Sequence, residues 1–345
     1  MNASALTSRT GGAGRLGVRI VGTGSCLPDR RLTNADLERL MDTSDEWIVQ
    51  RTGVRERRLV DPSKGECTRT LSAEALRQAL RAARLNATDL DLLVIATMTP
   101  EMGCPPTSCL VAGDVGAASP AAFDLNAACS GFVFALNTVH ELVRGGLYRT
   151  AALIGADTLS VHMDYSTPGR GTAILFGDAA AAVVMRATDD ASKGLIAQAM
   201  HTNGAAWKEI YIPESDRHFP PGVACDPSKF GRVQMNGAGV FKFAVTTFSD
   251  LIQETLDKAG LRSDEIDMFV CHQSNARILS SARERFGIPA ERLHVNIDRV
   301  GNTVAASVPL CLDELVREGR VREGHKVMFL GFGGGLTWGS SLWQF

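Results

Sequence analysis

The feature that most constrains the fold of this 345-residue chain is an internal duplication. Residues 85–97 and 261–273 align without a gap, matching Leu to Leu, Asp to Asp and Val to Val, at an offset of 261 − 85 = 176. At the same offset, the apolar residues 151–155 fall on residues 327–331. A repeat of this size constrains the architecture, because each copy must build the same kind of unit. Each copy alternates strand and helix patterns, so we predict two duplicated α/β halves.

The polar stretch at residues 187–194 is the expected boundary between these halves. It defines an N-terminal half at residues 16–190 and a C-terminal half at residues 191–345. Residues 1–15 are rich in Ser, Thr, Gly and Ala and hold no acid, and we expect a disordered tail there because a signal peptide needs an apolar core. Apolar runs in the first half predict strands at residues 18–24, 92–96, 151–156 and 176–185.

Composition excludes several classes of function. The net charge of −2 provides no bulk attraction to nucleic acid or to an anionic membrane. No run approaches the roughly 20 apolar residues of a membrane span. The eight cysteines form no C-x-x-C pair and indicate reduced thiols, and the seven histidines lack metal-ligand spacing. We therefore expect a cytoplasmic protein without a metal site, a nucleic-acid partner or a membrane segment.

A cysteine between a strand and a helix is the strongest candidate for chemistry. Residues 123–125 predict the end of a strand, and apolar spacings of three and four predict a helix at residues 133–143. Cys129 lies between them among small residues. At the amino end of a helix the dipole favours an anion, so we expect a lowered thiol pKa and a nucleophilic role. The alternative is a buried structural cysteine, which is the commoner fate of a free cysteine.

The duplication predicts two partners for this cysteine. With a few residues of slippage, the helix after Cys129 has its counterpart after Asn302. The strand end at Thr97 has its counterpart at His272 and Gln273. Sites of open α/β sheets lie at the carboxyl ends of strands. We therefore expect Cys129, Asn302 and His272 to face one central cleft.

Five short motifs follow one another along the chain in the order of a known family. They are Asp-Glu-Trp-Ile (45–48), Ala-Ala-Cys-Ser-Gly-Phe (127–132), Phe-Gly-Asp (176–178), Gly-Asn-Thr (301–303) and Phe-Gly-Gly-Gly-Leu-Thr-Trp-Gly-Ser (332–340). On these motifs the chain resembles the thiolase-superfamily condensing enzymes. The closest resemblance is to the β-ketoacyl-acyl-carrier-protein synthase III family, and it covers residues 18–345.

The resemblance implies a thiolase-like fold with layers in the order α-β-α-β-α, a homodimer, and no cofactor besides the coenzyme A thioester that serves as substrate. It also implies an acyltransferase activity that initiates fatty-acid synthesis. In this reaction an acyl-CoA primer, acetyl-CoA or somewhat longer, undergoes decarboxylative Claisen condensation with malonyl-acyl carrier protein.

Catalytic roles follow from the same resemblance. It makes Cys129 the residue that is acylated, and it makes the backbone N–H groups of Cys129 and Gly334 the donors of the oxyanion hole. Glycine suits such a site because it lets the backbone approach the substrate closely. His272 and Asn302 are implied as donors to the enolate that forms when the malonyl group loses carbon dioxide.

Substrate-binding roles are also implied only by the resemblance. Trp47 and Arg170 resemble a pair that sandwiches the adenine of coenzyme A, and Thr43 and Arg51 resemble its polar partners. Asn275 resembles a residue that contacts the pantetheine arm.

A basic patch is implied for the acidic carrier protein. Lys242 and Arg277 resemble the residues of this patch, and Arg283 and Arg285 could extend it along the same helix. A solvated helix face is an equally good interpretation of the last two arginines.

The acyl pocket is where the chain departs from the family pattern. Phe176 resembles the aromatic residue that lines this pocket. Cys104, just before Pro105, stands where many members have a bulky aromatic residue that limits the pocket across the dimer. We therefore expect a permissive pocket, and we expect the dimer to form through residues 121–125.

The residues also bear on four rival interpretations of this chain. A degradative thiolase would carry a second cysteine in its carboxy-terminal glycine motif, and residues 331–335 contain none. A chalcone-synthase-like polyketide enzyme would need no patch for a carrier protein. An acyltransferase of secondary metabolism would not need both His272 and Asn302, which serve decarboxylation. A non-catalytic partner subunit should have lost Cys129.

Overall fold

The computed structural model describes residues 16–345, so the predicted disordered tail at residues 1–15 lies outside the described part. The strands, in chain order, are β1 (Gly17–Cys26), β2 (Arg31–Thr33), β3 (Glu56–Arg58), β4 (Leu92–Ala96), β5 (Ala121–Leu125), β6 (Thr150–Asp157), β7 (Ala179–Thr188), β8 (Gly194–Thr202), β9 (Ile210–Tyr211), β10 (Gln234–Met235), β11 (Met268–Cys271), β12 (Lys326–Gly333) and β13 (Thr337–Gln344). The α-helices are α1 (Asn34–Glu38), α2 (Asp45–Thr52), α3 (Thr68–Ala83), α4 (Thr107–Val115), α5 (Gly131–Arg144), α6 (Arg170–Ala173), α7 (Gly237–Ala259), α8 (Ala276–Arg285), α9 (Ile297–Val300) and α10 (Ser307–Arg317).

Two mixed sheets carry the duplication. The first has the strand order β1-β7-β6-β4-β5, and the second has the order β8-β13-β12-β11. In these orders β8, β13, β12 and β11 of the second sheet correspond to β1, β7, β6 and β4 of the first. Strand β5 of the first sheet has no corresponding strand in the second. Its place beside β11 is held by an isolated bridge between Phe269 and Leu293. The chain passes from the first sheet to the second between Thr188 and Gly194.

Three buried apolar clusters separate the layers. Helices α3 and α4 pack on the outer face of the first sheet, with Leu76 and Val111 in their cluster. Helices α5 and α10 fill the space between the two sheets, with Leu136 and Leu312 in theirs. Helices α7 and α8 cover the outer face of the second sheet. The layers therefore follow the predicted order α-β-α-β-α.

The two halves match without slippage around the strand-to-helix junctions. Short 3₁₀ turns at Ala128–Ser130 and Val304–Ala306 differ by 304 − 128 = 176, and α5 and α10 begin 307 − 131 = 176 residues apart. The expected slippage of a few residues is therefore wrong. The counterpart of Cys129 is Ala305, and the counterpart of Asn302 is Asn126.

Both turns are built in the same way. The Asn126 Oδ1 atom accepts a hydrogen bond of 3.0 Å from the N–H of Ala128, and Asn302 Oδ1 accepts one of 2.9 Å from Val304. Ala128 and Val304 have positive φ angles of 48° and 53°. Residues other than glycine rarely adopt this conformation, and it persists where the surrounding structure holds it.

Two local details concern strand β5 and the start of helix α2. Residues 123–125 were predicted to end a strand, and they do end β5, an edge strand whose first residue is exposed and whose other residues are half-buried. Its outer edge pairs with no other strand of the described chain. The N-cap of α2 is Ser44, whose side chain accepts the N–H of Trp47.

In the described part of the chain, every helix is too short or too polar to cross a bilayer. Within residues 16–345, no group of three or more His, Cys, Asp or Glu side chains is arranged to hold a metal ion.

Candidate active site

Cys129 lies at the base of a cavity, in the 3₁₀ turn that precedes α5. Helix α5 is held between the sheets because Val133, Leu136 and Val139 recur on its buried face. The side chain of Cys129 is 7% exposed, so its thiol reaches solvent only through the cavity. The sequence prediction of a cysteine at the amino end of a helix is confirmed in position.

The predicted lowering of the Cys129 pKa is wrong. Burial, followed by the negative charge of Asp157, raises the pKa of this thiol to about 12. The nearby backbone N–H groups of Cys129 and Gly334 lower the pKa of this thiol, but they offset only part of the effect of burial. The thiol is therefore protonated at neutral pH, and it must lose its proton when it attacks a substrate.

Glycines of the loop after β12 pack directly against this turn. A Cβ atom on Gly333 would lie 2.7 Å from the backbone nitrogen of Cys129, which no side chain could tolerate without a shift. The hydroxyl of Thr337 lies 2.6 Å from that of Ser130 and 3.0 Å from the carbonyl oxygen of Gly334. This contact ties the glycine loop to the cysteine turn and keeps the two N–H donors together.

His272 directly follows β11 and is buried. Its Nδ1 atom lies 2.6 Å from the hydroxyl oxygen of Ser307, the first residue of α10. Burial lowers the pKa of His272 to about 3, so the ring is neutral at physiological pH. A neutral imidazole has one donor and one acceptor nitrogen, and the hydrogen bond made by Nδ1 decides which role remains for Nε2.

Asn302 is fixed from both backbone and side chain. Its N–H donates to the carbonyl oxygen of Leu175 at 2.8 Å, and its own carbonyl accepts from Gly177 at 3.0 Å. Because Oδ1 accepts the N–H of Val304, the amide group cannot be turned around without losing that bond. The orientation of the amide group is therefore set by this turn, and Asn302 lines the cavity.

Two cavities meet at Cys129. The larger, of about 490 Å³, is also lined by His272 and Asn302. The smaller, of about 440 Å³, lies on the other side of the cysteine and is lined mainly by apolar side chains that include Leu159 and Val233. Four residues line both cavities: Cys129, Phe176, Ile210 and Gly334. We name the larger the access cavity and the smaller the inner cavity; Cys129 lies on the wall that they share.

The rim of the larger cavity carries most of the residues that the sequence suggested for coenzyme A. The guanidinium groups of Arg51 and Arg170 lie 4.5 Å and 5.2 Å from the ring centroid of Trp47. The side chain of Asn275 donates to the backbone carbonyl of Arg51 at 2.9 Å. Trp47, Arg51 and Asn275 line the cavity, whereas Arg170 stands beside its lining residue Gly171.

The gap between Trp47 and Arg170 is narrower than the expected sandwich of a nucleobase between them requires. Insertion of a flat base requires two contacts of about 3.5–4.0 Å each, or roughly 7–8 Å between the two groups. Arg170, now 5.2 Å from the ring, must therefore move away for a base to enter. Thr43 precedes the N-cap of α2, and its buried hydroxyl has no hydrogen-bond partner in the described structure and does not line the cavity.

The side chains predicted for the basic patch differ in their surroundings. Lys242 and Arg277 are both exposed, and Arg277 lies over the ring of Phe241 at the cavity rim, 5.0 Å from its centroid. Arg285 is 3.8 Å from Asp250, and Arg283 is half-buried at the end of α8. Lys242 and Arg277 are therefore the better placed pair.

Cys104 lies away from both cavities of its own chain. It is exposed in the loop between β4 and α4 and lines neither space. Phe176, in contrast, is buried between the two cavities, where the sequence suggested a lining residue of the acyl pocket.

Several residues of the site were missed from the sequence. The long excursion at residues 203–236 contributes Ile210, Tyr211 and Met235 to the cavities. This segment is rich in proline and glycine, and its apolar residues follow neither a helical nor a strand period. Its local sequence therefore gave no indication that it lines the cavities. Ser307, the partner of His272, could have been found, because the offset of 176 pairs it with Gly131 at the start of α5.

A duplicated α-β-α-β-α fold, with a buried cysteine, a histidine and an asparagine on one cavity, defines the class of thiolase-type condensing enzymes. Comparisons with known proteins agree. The family profile described as 3-oxoacyl-[acyl-carrier-protein (ACP)] synthase III matches residues 123–204, and its C-terminal companion matches residues 256–345. The chain therefore belongs to the 3-oxoacyl-acyl-carrier-protein synthase III family of acyltransferases.

Individual relatives cover nearly the whole chain. The β-ketoacyl-[acyl-carrier-protein] synthase III of Caldanaerobacter subterraneus subsp. tengcongensis is 40% identical over 95% of this chain and 98% of its own. The crystal structure of 3-oxoacyl-[acyl-carrier-protein] synthase III from Aquifex aeolicus VF5 has a TM-score of 0.87 and 38% identity, covering 95% of this chain and 100% of its own. The priming β-ketosynthase of the R1128 polyketide biosynthetic pathway has a TM-score of 0.86 and 33% identity, covering 96% of this chain and 97% of its own.

Proposed function

We propose that this chain catalyses the decarboxylative condensation of an acyl-CoA primer with malonyl-acyl carrier protein, and so initiates fatty-acid synthesis. The products are 3-oxoacyl-acyl carrier protein, coenzyme A and carbon dioxide. The observation that carries the proposal is the junction at Cys129, where a cavity lined by His272 and Asn302 meets an inner apolar one. A bound acyl chain and an incoming malonyl group can then reach the same sulfur from two sides.

In the first half-reaction, the sulfur of Cys129 attacks the thioester carbonyl of the primer. A new thioester forms on Cys129, coenzyme A leaves as its thiol, and the cysteine proton goes to the departing sulfur. Neutral His272 can relay this proton if Nε2 is its acceptor nitrogen. The N–H groups of Cys129 and Gly334 lower the pKa of this thiol and are suited to the oxyanion that develops beside it.

In the second half-reaction, malonyl-acyl carrier protein loses carbon dioxide, and the electron pair of the broken C–C bond forms an enolate. The Nδ2 donors of Asn302 and an Nε2–H of His272 are placed to stabilise its oxygen. The enolate carbon then attacks the acyl carbonyl on Cys129, the C–S bond breaks, and the Cys129 thiolate that leaves takes one proton from solvent. His272 needs a different tautomer in each half-reaction, which the hydroxyl of Ser307 permits because it can either donate or accept.

The experiment that tests this function follows the lost carboxyl group. Malonyl-acyl carrier protein labelled in its free carboxyl should release labelled carbon dioxide only when acyl-CoA is also present, with formation of a 3-oxoacyl product. Release of coenzyme A without carbon dioxide would instead indicate a simple acyltransferase, and the proposal would fail.

The substrate-binding roles support this function. We assign the adenine of coenzyme A to Trp47 and Arg170, with Arg51 and Thr43 nearby, and the pantetheine arm to Asn275. The aromatic ring and the guanidinium group suit a flat, electron-rich base and its phosphates.

The carrier-protein role rests on charge and position. Lys242 and Arg277 stand exposed beside the cavity mouth and suit an acidic carrier protein. The eight free thiols are in keeping with a reducing, cytoplasmic location, which we also propose.

We further propose a homodimer formed along the free edge of β5. This edge ends at Leu125, and Asn126 beside it is exposed yet lines the inner cavity, so the cavity opens next to the edge. A second subunit paired there would bring its exposed Cys104 loop to this opening. The supporting observation is that an exposed edge strand is normally covered or paired.

Replacing Cys104 with phenylalanine should narrow the range of primers. A buried methylene contributes about 0.8 kcal/mol, so blocking room for two should reduce loading of butyryl-CoA about tenfold relative to acetyl-CoA. The measurement is the rate of Cys129 acylation across a series of straight-chain acyl-CoA esters. Cys104→Ser is the matched control, because serine is as small as cysteine. An unchanged range in Cys104→Phe, or a monomer by light scattering, would contradict this role.

A second candidate function is the priming of a polyketide synthase. The 33% identity to the R1128 priming β-ketosynthase favours it, and that identity spans 96% of this chain. The chemistry at Cys129 would be the same, and only the carrier protein would differ. Comparing condensation rates with the fatty-acid and polyketide carrier proteins of the source organism would separate the two functions.

A further inference from the structure

The carboxylate of Asp157 is buried in the middle of the molecule and takes no part in the two half-reactions described above. Asp157 ends β6, is 0% exposed, and has no cationic hydrogen-bond or ion-pair partner in the described structure. Burial raises its pKa to about 7, although its hydrogen bonds lower it. An acidic group buried without a cation is costly, so the contacts that hold it are informative.

One oxygen of this carboxylate collects donors from the segment that follows β4. Its Oδ1 atom accepts the backbone N–H groups of Met98 at 2.8 Å and Thr99 at 3.2 Å. The hydroxyl groups of Thr97 and Thr99 also donate to it, each at 3.2 Å. Met98 lines the inner cavity, so this oxygen fixes one wall of the acyl pocket.

The other oxygen binds the turn that carries Asn302. Oδ2 of Asp157 accepts the N–H of Ala305 at 3.0 Å. Ala305 lies in the middle of the 3₁₀ turn Val304–Ala306, and the first N–H of that turn is held by Asn302 itself. The carboxylate and the Asn302 side chain therefore fix two consecutive N–H groups of one turn.

The duplication shows what this contact replaces. Ala305 is the counterpart of Cys129 (305 − 129 = 176), and Asp157 is the counterpart of Gly333 (333 − 157 = 176). Beside Cys129 this place is held by Gly333 of the C-terminal half, which has no side chain that could take the N–H of Cys129. Beside Ala305 the equivalent place is filled by the side chain of Asp157 from the N-terminal half, whose Oδ2 atom accepts the equivalent N–H.

We propose that Asp157 occupies the second half's counterpart of the oxyanion hole and is the positioning residue that holds the Asn302 turn ready for decarboxylation. The inference deepens the proposed function and rests on it. One half of the duplicated fold keeps its N–H donor free for substrate, while the other half uses the same donor to anchor Asn302. The charge of Asp157 also acts on Cys129, whose thiol it makes harder to ionise.

The test is Asp157→Asn, which keeps the shape but leaves only one accepting atom. An amide cannot accept donors from both the segment after β4 and the Asn302 turn, so one of them must lose its partner. We expect acyl-CoA-dependent release of carbon dioxide to fall about 100-fold, the scale of a 1 Å misplacement. The rate of Cys129 acylation should be kept, and alkylation of Cys129 by iodoacetamide should shift to lower pH because a nearby negative charge is gone.

A matched control separates this role from a general loss of buried charge. Asp313 is also buried, but it accepts hydrogen bonds from Thr23 and Ser25 and pairs with Arg317, and in the described structure it makes no bond to the Asn302 turn. Asp313→Asn should therefore leave both the ratio of acylation to decarboxylation and the alkylation profile of Cys129 unchanged.

A second variant covers the case in which Asp157→Asn does not fold. Thr97→Val removes one hydroxyl donor from Oδ1 and keeps the backbone in place, so it should give a smaller loss in the same direction. If the folded variant loses acylation and decarboxylation equally, or loses neither, the inference is overturned while the proposed function stands. A wild-type protein that loads acyl groups but releases no carbon dioxide would overturn the inference together with the proposed function.

Discussion

Replacing Cys129 with serine should abolish the acyl-enzyme and reduce condensation by roughly 10⁴-fold or more, the scale seen when an acyl-transfer enzyme loses its nucleophile. Burial already raises the pKa of the Cys129 thiol to about 12, and an alcohol in the same place is a much weaker acid. A serine hydroxyl has the size of the thiol, so the fold should be kept. The measurement is the intact mass of the protein after exposure to a series of acyl-CoA esters.

The chain supplies its own control for this experiment. Cys109 and Cys225 are exposed and far from both cavities, so their replacement by serine should leave acylation unchanged. An undiminished acyl adduct in Cys129→Ser would show that another residue is loaded. If the acyl adduct instead formed on an exposed cysteine, replacing that cysteine, Cys109→Ser or Cys225→Ser, would remove the adduct.

The raised pKa gives this cysteine a recognisable pH dependence. Below its pKa, the fraction of thiolate rises tenfold with each pH unit, so alkylation of unliganded Cys129 should still be accelerating above pH 9. A thiol with a lowered pKa would instead reach a plateau near neutral pH. If the alkylation rate reached a plateau near neutral pH, the thiol pKa would be lowered, as its position at the end of the helix predicted.

Replacing His272 or Asn302 with alanine should reduce condensation by about 100- to 1000-fold while leaving part of Cys129 acylation intact. This is the usual cost of removing one donor to a developing oxyanion. The two side chains line the cavity by which a malonyl group would approach, and neither carries a net charge at neutral pH. The measurement compares the rate of acylation with the rate of carbon dioxide release for each variant.

Asn302→Asp separates the chemical role of this side chain from its structural one. An aspartate can still accept the N–H of Val304 and hold the turn, but it has no N–H to donate to an enolate. Condensation should therefore be lost in Asn302→Asp as fully as in Asn302→Ala. Recovery of activity in the aspartate variant would mean that Asn302 acts only by shaping its turn, and normal decarboxylation in the alanine variants would refute the assignment.

The sequence determined those features that depend on neighbours along the chain. An uninterrupted apolar run predicted a strand at residues 92–96, and β4 has these bounds because a central strand is buried on both faces. The helix predicted at residues 133–143 lies within α5, since its apolar residues recur at the spacing that faces two sheets. The repeat at residues 85–97 and 261–273 predicted two halves, because a duplicated pattern builds a duplicated unit.

The tertiary structure alone decided the electrostatics and the fine geometry of the site. The thiol pKa of Cys129 is set by burial under both halves and by Asp157, 28 positions further along the chain, and neither effect has a local signal. The hydrogen bond between His272 and Ser307 depends in the same way on the packing of α10 against β11. A slippage of a few residues between the halves was expected, yet the two backbones keep the same offset of 176 residues. At this offset Cys129 lies beside Gly333, whereas its counterpart Ala305 lies beside Asp157. The motifs predicted which residues carry the chemistry, but only the packing of one half against the other determines which backbone N–H lacks a side-chain acceptor and which charge acts on the thiol.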